Sequence, residues 1–118
     1  MSHLSQIKTK IHDSKVLEKT LNDLGFIYEL KGKNKNDFIV QNKHSDEFEL
    51  VWNGQEYLIL ADIELWQNNS SIEYLVDQIT QQYSYNFILE ESMKYGFNSV
   101  NKEFTKDGSI KIIVQRWN

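Results

Sequence analysis

Two carboxylates stand two residues apart in the most apolar stretch of the chain. Asp62 and Glu64 lie in the run YLILADIELW, which extends from Tyr57 to Trp66. If this run is a β-strand, both carboxylates and Trp66 project from one face, with the carboxylates about 7 Å apart. Paired acids at that distance can act on a substrate or bind a cation. The alternative is that they are ordinary solvent-facing residues near a strand end.

A second candidate binding surface lies at the end of the chain. Arg116 and Trp117 close the last predicted strand. Both residue types are enriched among the side chains that dominate binding energy at protein interfaces. Packing of Trp117 onto the core is an equal alternative. Together with Asp62, Glu64 and Trp66, these two residues form the candidate binding surface.

Other residues that carry chemistry form no recognisable motif. The three histidines, at positions 3, 12 and 44, have no metal-ligand spacing. The chain has no cysteine, which excludes disulfides, a thiol nucleophile and cysteine-ligated metal in this chain. We find no glycine-rich phosphate loop and no hydrolase or metalloprotease signature. We therefore assign no catalytic residue, metal ligand or cofactor, and binding is favoured over catalysis.

Charge is distributed unevenly along the chain. Between His44 and Met93 there are ten acidic residues and no Lys or Arg, whereas the flanks contain all 13 basic residues. Interleaving of these charges on a solvated surface is one interpretation. The other is a polarised surface that docks a basic partner or a cationic ligand.

The lysines suggest one further surface. Lys8 and Lys10 would form a basic patch with Lys31, Lys33 and Lys35 if the first strand lay beside the turn that follows the second. A pI near 5.3 opposes nucleic-acid binding. We expect no nucleic-acid partner.

The elements that position these residues follow from hydrophobic periodicity. A chain of 118 residues suits one domain, residues 1–118. Alternating patterns predict strands, and helical spacing predicts helices, in the order β-α-β-β-β-β-α(α)-β-β. This order predicts an α+β fold, with a mostly antiparallel sheet of about six strands and two to three helices packed on one face.

Local signals support several of these elements. Asp13 or Ser14 can cap the first helix, and Gly25 suits its C-terminal left-handed position. Asn53-Gly54 predicts a hairpin between strands that end near Trp52 and begin near Gln55. Asp107-Gly108 gives the same signal for the last two strands. In the opening run, Tyr57 and alternate residues after it are predicted to face the core.

The long helical pattern after residue 70 contains two apolar stripes. Ser70 and Glu73 fit a capping box. The first stripe ends at Tyr83, and the second begins at Tyr85 on another face of the helix. Because one straight helix with one buried face cannot satisfy both stripes, we predict a break or kink near Tyr83 to Asn86 and a second helix ending at Gly96.

Several pieces of the chain resemble a known family. They are SHLSQIKTKIHD at 2–13, LNDLGF at 21–26, ADIELW at 61–66, ITQQYSYN at 79–86 and GSIKIIVQRW at 108–117. In this order they resemble the hypothetical chloroplast reading frame thirty-five family of algal plastids and cyanobacteria. The resemblance implies plastid coding and a stromal location, or a cytoplasmic one in a cyanobacterium. It implies no activity.

The predicted location agrees with the rest of the sequence. No apolar run approaches the length of about 20 residues that a membrane helix needs, and we expect neither a signal nor a transit peptide. We predict a small soluble binding or accessory module that acts through protein contacts. The alternatives are a small-molecule binder or enzyme that uses the face of Asp62, Glu64 and Trp66, and a structural homo-oligomer.

Overall fold

The fold combines seven strands with two helices in the part of the chain that the structure describes. A computed structural model describes residues 4–34, 36–41, 47–62, 72–106 and 109–116. The elements are β1 (Leu4–Lys8), α1 (Ser14–Asp23), β2 (Ile27–Lys31), β3 (Asp37–Gln41), β4 (Glu47–Trp52), β5 (Tyr57–Asp62), α2 (Ile72–Lys94), β6 (Phe97–Phe104) and β7 (Ile110–Arg116). The predicted α+β class is confirmed.

Five of the strands form one sheet in the order β1-β5-β4-β3-β2, and each neighbouring pair is antiparallel. Strands β6 and β7 form a separate two-stranded antiparallel sheet. The main sheet thus has five strands rather than about six. The hairpin of β6 and β7 packs on α2. Strand β6 begins at Phe97, just after the helix ends at Lys94, and both strands contact that helix.

Helix α1 has the predicted ends. The Asp13 carboxylate accepts the backbone N–H groups of Lys15 and Val16 at 3.0 and 3.1 Å, which satisfies two donors of the first turn. At the other end Gly25 has φ +79°, a conformation that glycine adopts without a steric cost. The N–H of Phe26 then donates to the Leu21 carbonyl at 3.0 Å.

The predicted hairpin between β4 and β5 is confirmed. Trp52 lies opposite Tyr57, so β5 begins at Tyr57 rather than near Gln55. The Asn53 side-chain oxygen accepts the N–H groups of Gln55 and Glu56 at 2.9 and 2.8 Å, and Gly54 has φ +100°. The turn therefore depends on an Asn side chain followed by a glycine.

The core lies on one face of the five-stranded sheet. Tyr57, Ile59 and Ala61 of β5 are at most 1% exposed, as predicted for this face. They join one cluster with buried residues of β3, β4 and both helices; its members outside β5 are Ile11, Val16, Leu17, Leu21, Phe38, Val40, Phe48, Leu50, Leu75, Ile79 and Tyr83. Both helices thus pack on the same face of the sheet.

The predicted break in the long helix is wrong. Helix α2 runs without interruption from Ile72 to Lys94. Asn86 continues the first stripe and is only 3% exposed. Its burial is tolerated because its amide donates to two side chains of α1, to Thr20 Oγ1 at 3.2 Å and to Asp23 Oδ2 at 3.1 Å. Since α2 also contacts the hairpin of β6 and β7, one uninterrupted helix packs on more than one side. The Ser70 part of the capping box lies outside the described residues.

Candidate functional site on the helix-free face of the sheet

The face of the sheet opposite the core carries the candidate site. Alternation along β5 sends Leu58, Leu60 and Asp62 to this face, where all three are half-buried. Among the described residues, neither helix packs here, because both place their buried side chains in the core cluster on the other side. We call this surface the helix-free face.

An aliphatic cluster occupies the middle of the helix-free face. Val51 of β4 lies opposite Leu58, while Glu49 lies opposite both Leu60 and Ile39, its partners on the two flanking strands. Ile39, Val51, Leu58 and Leu60 are all half-buried and form what we call the apolar band. The exposed face of an antiparallel sheet ordinarily carries polar residues. An aliphatic cluster at its centre makes this face a candidate binding surface.

Apolar side chains also reach both edges of the helix-free face. Leu4 of β1 is 61% exposed and lies opposite Asp62, and Ile27 of β2 is 71% exposed and lies opposite Gln41. The side chains of Leu4 and Ile27 extend the aliphatic surface beyond the apolar band.

Carboxylates lie beside and within the apolar band, since Glu49 stands between Leu60 and Ile39. Five acids share its face by register, and two lysines, Lys8 and Lys31, also lie there; the acids are Glu29, Asp37, Glu47, Glu49 and Asp62. Lys31 forms an ion pair with Glu49, and this hydrogen bond and charge raise the pKa of the Lys31 amine. The pair is exposed, so it adds little stability. With five carboxylates against two amines, the face is acidic.

The structure describes two of the five residues that the sequence singled out. Asp62 ends β5 on the helix-free face. Arg116 ends β7 in the other sheet, where its backbone lies opposite Phe97. Glu64, Trp66 and Trp117 lie outside the described residues. The candidate surface that joins these five residues therefore stays a prediction.

The predicted basic patch is wrong. Strands β1 and β2 are the two edges of the sheet and three strands lie between them, so Lys8 and Lys31 are separated by about 19 Å of sheet. Lys35 lies outside the described residues. The condition for the patch, a first strand beside the turn after the second, is not met.

The apolar band was missed because each strand was interpreted alone. The signal is the consecutive apolar letters FIV at 38–40, LVW at 50–52 and LIL at 58–60. In each triplet at least one apolar residue must face away from the core. Only the register of three neighbouring strands places these residues side by side.

Metal and membrane sites have no support in the described residues. No three His, Asp or Glu side chains in this part of the chain converge as a metal-ligand set. In the same residues, no helix is long and apolar enough to cross a membrane.

Comparison with known proteins gives the family. The model of a family described as a protein of unknown function (DUF1257) matches residues 20–113. The uncharacterized protein ycf35 of Pyropia yezoensis is 38% identical, and the alignment covers 100% of this chain and 99% of that protein. The ycf35 protein of Guillardia theta is 36% identical over 99% and 98% of the two chains. This chain belongs to the ycf35 family.

The relatives in the ycf35 family indicate which genome encodes them but not what the protein does. The relative from Cyanophora paradoxa, 35% identical over 99% of this chain and 98% of its own length, is also an uncharacterized ycf35 protein. The ycf designation denotes a plastid reading frame, so these algal relatives are plastid-encoded. The resemblance seen in the sequence is confirmed, and the function of the family is uncharacterised. No solved structure matches the chain.

Proposed function

We propose that this ycf35 protein is a binding module of the plastid stroma whose helix-free face takes an amphipathic helix of another protein. The partner helix presents aliphatic side chains to the apolar band and basic side chains to the surrounding carboxylates. The observation that supports this proposal is the aliphatic cluster on an acidic sheet face that no described helix covers.

The dimensions of the face suit a short helix. Five strands at about 4.8 Å spacing make a surface about 19 Å wide, and strands of five or six residues make it about 17–20 Å long. A helix rises about 1.5 Å per residue, so about 12–14 residues cross the face. The core side of the same sheet already binds two helices through alternating aliphatic side chains.

The carboxylates of the helix-free face favour a partner helix with positive charge. Glu47 is exposed at the start of β4, and Asp62 is half-buried at the end of the neighbouring strand β5. Lys31 forms an ion pair with Glu49, and the negative charges of Asp37 and Glu47 also raise the pKa of its amine. A basic helix therefore meets complementary charge at the border of the apolar band, whereas an acidic helix meets repulsion.

A pair of designed peptides tests this proposal. One is a helix of about 14 residues with leucines on one face and lysines beside them, and the other has glutamate in place of every lysine. We expect fluorescence anisotropy to show saturable binding of the lysine peptide only, weakening as salt rises. Glu47→Lys should weaken this binding about three- to tenfold.

Glu73→Lys is the matched control. Glu73 is also an exposed acid, but it lies in the first turn of α2. Its substitution by lysine changes the net charge by the same amount as Glu47→Lys. We expect it to leave affinity within about twofold of wild type. Equal weakening by both variants would indicate attraction to net charge alone, and binding of the glutamate peptide would contradict the proposal.

Three alternatives from the sequence stay predictions: a small-molecule site, interface anchors at the end of β7, and a homo-oligomer. The small-molecule or enzymatic alternative needs Glu64 and Trp66, which lie outside the described residues. The role of Arg116 and Trp117 as interface anchors, and a homo-oligomer, are outcomes that light scattering and crosslinking of the purified protein would reveal.

A further inference from the structure

A groove on the helix side of the molecule forms a second candidate site, separate from the helix-free face. It lies between the connection from β1 to α1 and the middle of α2. Its volume is about 250 Å³ and its lining comprises Lys10, Ile11, His12, Thr80, Tyr83, Ser84, Phe87 and Ile88. This volume is just below the range of drug-sized pockets. A ligand here must be small.

The lining divides into an apolar floor and a polar rim. Ile11 and Tyr83 are 1% and 6% exposed and form the floor, and the half-buried Phe87 and Ile88 line the wall. Lys10, His12 and Ser84 are exposed at the rim. Among the described residues that line the groove there is no carboxylate. The rim therefore supplies N–H and O–H donors, with an amine on an otherwise acidic protein.

The wall that carries the rim is fixed in place. The Tyr83 hydroxyl accepts the backbone N–H groups of His12 at 3.2 Å and Asp13 at 3.1 Å, which ties the connection to α2. The His12 ring packs edge-on against Phe87, with 5.2 Å between ring centroids. The carboxylate of Asp13, which follows His12 in the chain, accepts two backbone N–H groups of the first turn of α1. A preformed groove loses little free energy to ordering when a ligand binds.

We propose that this groove binds a small organic anion with a flat apolar body. The anionic group lies at the rim beside Lys10 and His12, and the body packs on Phe87 and Ile88. A flat body suits the aromatic ring of Phe87 on the wall, and an anion suits the donors at the rim.

Benzoate is a suitable probe, with benzylamine as its cationic counterpart of similar size. We expect benzoate to shift the amide resonances of residues 10–12 and 83–88 saturably in the ¹⁵N-labelled full chain, and benzylamine to leave them unshifted. Lys10→Gln should weaken benzoate binding about tenfold, the scale of one charge-assisted hydrogen bond.

Lys15→Gln is the control, because it removes the same charge from an exposed residue of α1 that does not line the groove. Its benzoate affinity should equal that of wild type. Thermal melting of both variants verifies that they fold. Equal weakening in the two variants, equal binding of benzylamine, or benzoate shifts dispersed over the surface would each overturn the proposal. None of these results bears on the peptide that is proposed for the helix-free face.

Discussion

Tyr83 shows how one side chain joins two distant parts of the chain. Its ring is buried in the core cluster, stacked against Phe87 with 5.9 Å between centroids. Its hydroxyl accepts two backbone N–H groups more than 69 residues away in sequence, those of His12 and Asp13. The helical stripe predicted that the ring is buried. The role of the hydroxyl could not be predicted, because nothing in the local pattern shows what lies opposite it.

Tyr83→Phe should therefore destabilise the fold. The ring still fits, but two backbone N–H groups lose their acceptor, at a cost of about 1–3 kcal/mol. Urea unfolding at neutral pH measures this change. Tyr74→Phe is the control: Tyr74 is 55% exposed on the same helix, and removal of its hydroxyl should change stability by less than about 0.5 kcal/mol.

The same variants test the pH dependence. Burial raises the pKa of Tyr83, as it does for Tyr57 and Tyr28, above the ordinary value of 10.0. Above about pH 10 the unfolded chain loses these protons more readily than the folded one, so stability falls as pH rises. Lys31 and Lys94 act in the same direction.

The comparison between variants isolates the tyrosine. Tyr83→Phe should show a shallower alkaline fall in stability than wild type or Tyr74→Phe. Identical slopes in the two variants, or an equal stability of wild type and Tyr83→Phe at neutral pH, would show that the hydroxyl is not held as described.

At the scale of elements, the sequence predicts the order of strands and helices, and local signals mark the ends of α1 and the turn between β4 and β5. The Asp13 cap, Gly25 and the Asn53-Gly54 turn are local signals, and each one marks an end of the expected element. The break in α2 was predicted wrongly because Asn86 was taken as evidence against burial. A partner on α1 changes that, since a buried amide is tolerated when it is hydrogen-bonded.

Ser84→Pro tests whether α2 is continuous. Ser84 lies in the middle of the helix and is exposed, so proline removes a backbone hydrogen bond and adds a clash without disturbing the core. We expect a loss of about 3 kcal/mol or more in stability, measured by urea unfolding and circular dichroism. Ser84→Ala should remain within about 0.5 kcal/mol of wild type. Tolerance of proline to within about 1 kcal/mol would instead indicate a break in the helix.

At the scale of the whole molecule, the arrangement of strands creates surfaces that no single strand predicts. Placing β1 beside β5 moves Lys8 away from Lys31 and abolishes the basic patch. Placing β3, β4 and β5 in register gathers Ile39, Val51 and Leu58 on the face away from the helices. Periodicity fixes which side of a strand a residue occupies, but not which strands become neighbours.

The family relationship identifies relatives of this chain but assigns no function to it. Relatives at 33–38% identity extend over nearly the whole chain, and all bear the uncharacterized ycf35 name. They identify a plastid-encoded family and leave the role to be inferred from the surface. That surface is the helix-free face, with Asp62 as the candidate from the sequence that the structure places on it.

The most direct test of the proposed function is a methyl spectrum of the protein labelled at isoleucine, leucine and valine, recorded as the lysine peptide is added. We predict shifts at Ile39, Val51, Leu58 and Leu60, which form the apolar band. Core methyl groups such as those of Leu17 and Ile79, both 0% exposed, should remain unchanged. Shifts confined to Ile88 or to other residues of the helices, with the apolar band unaffected, would contradict the proposal that the helix-free face is the binding surface.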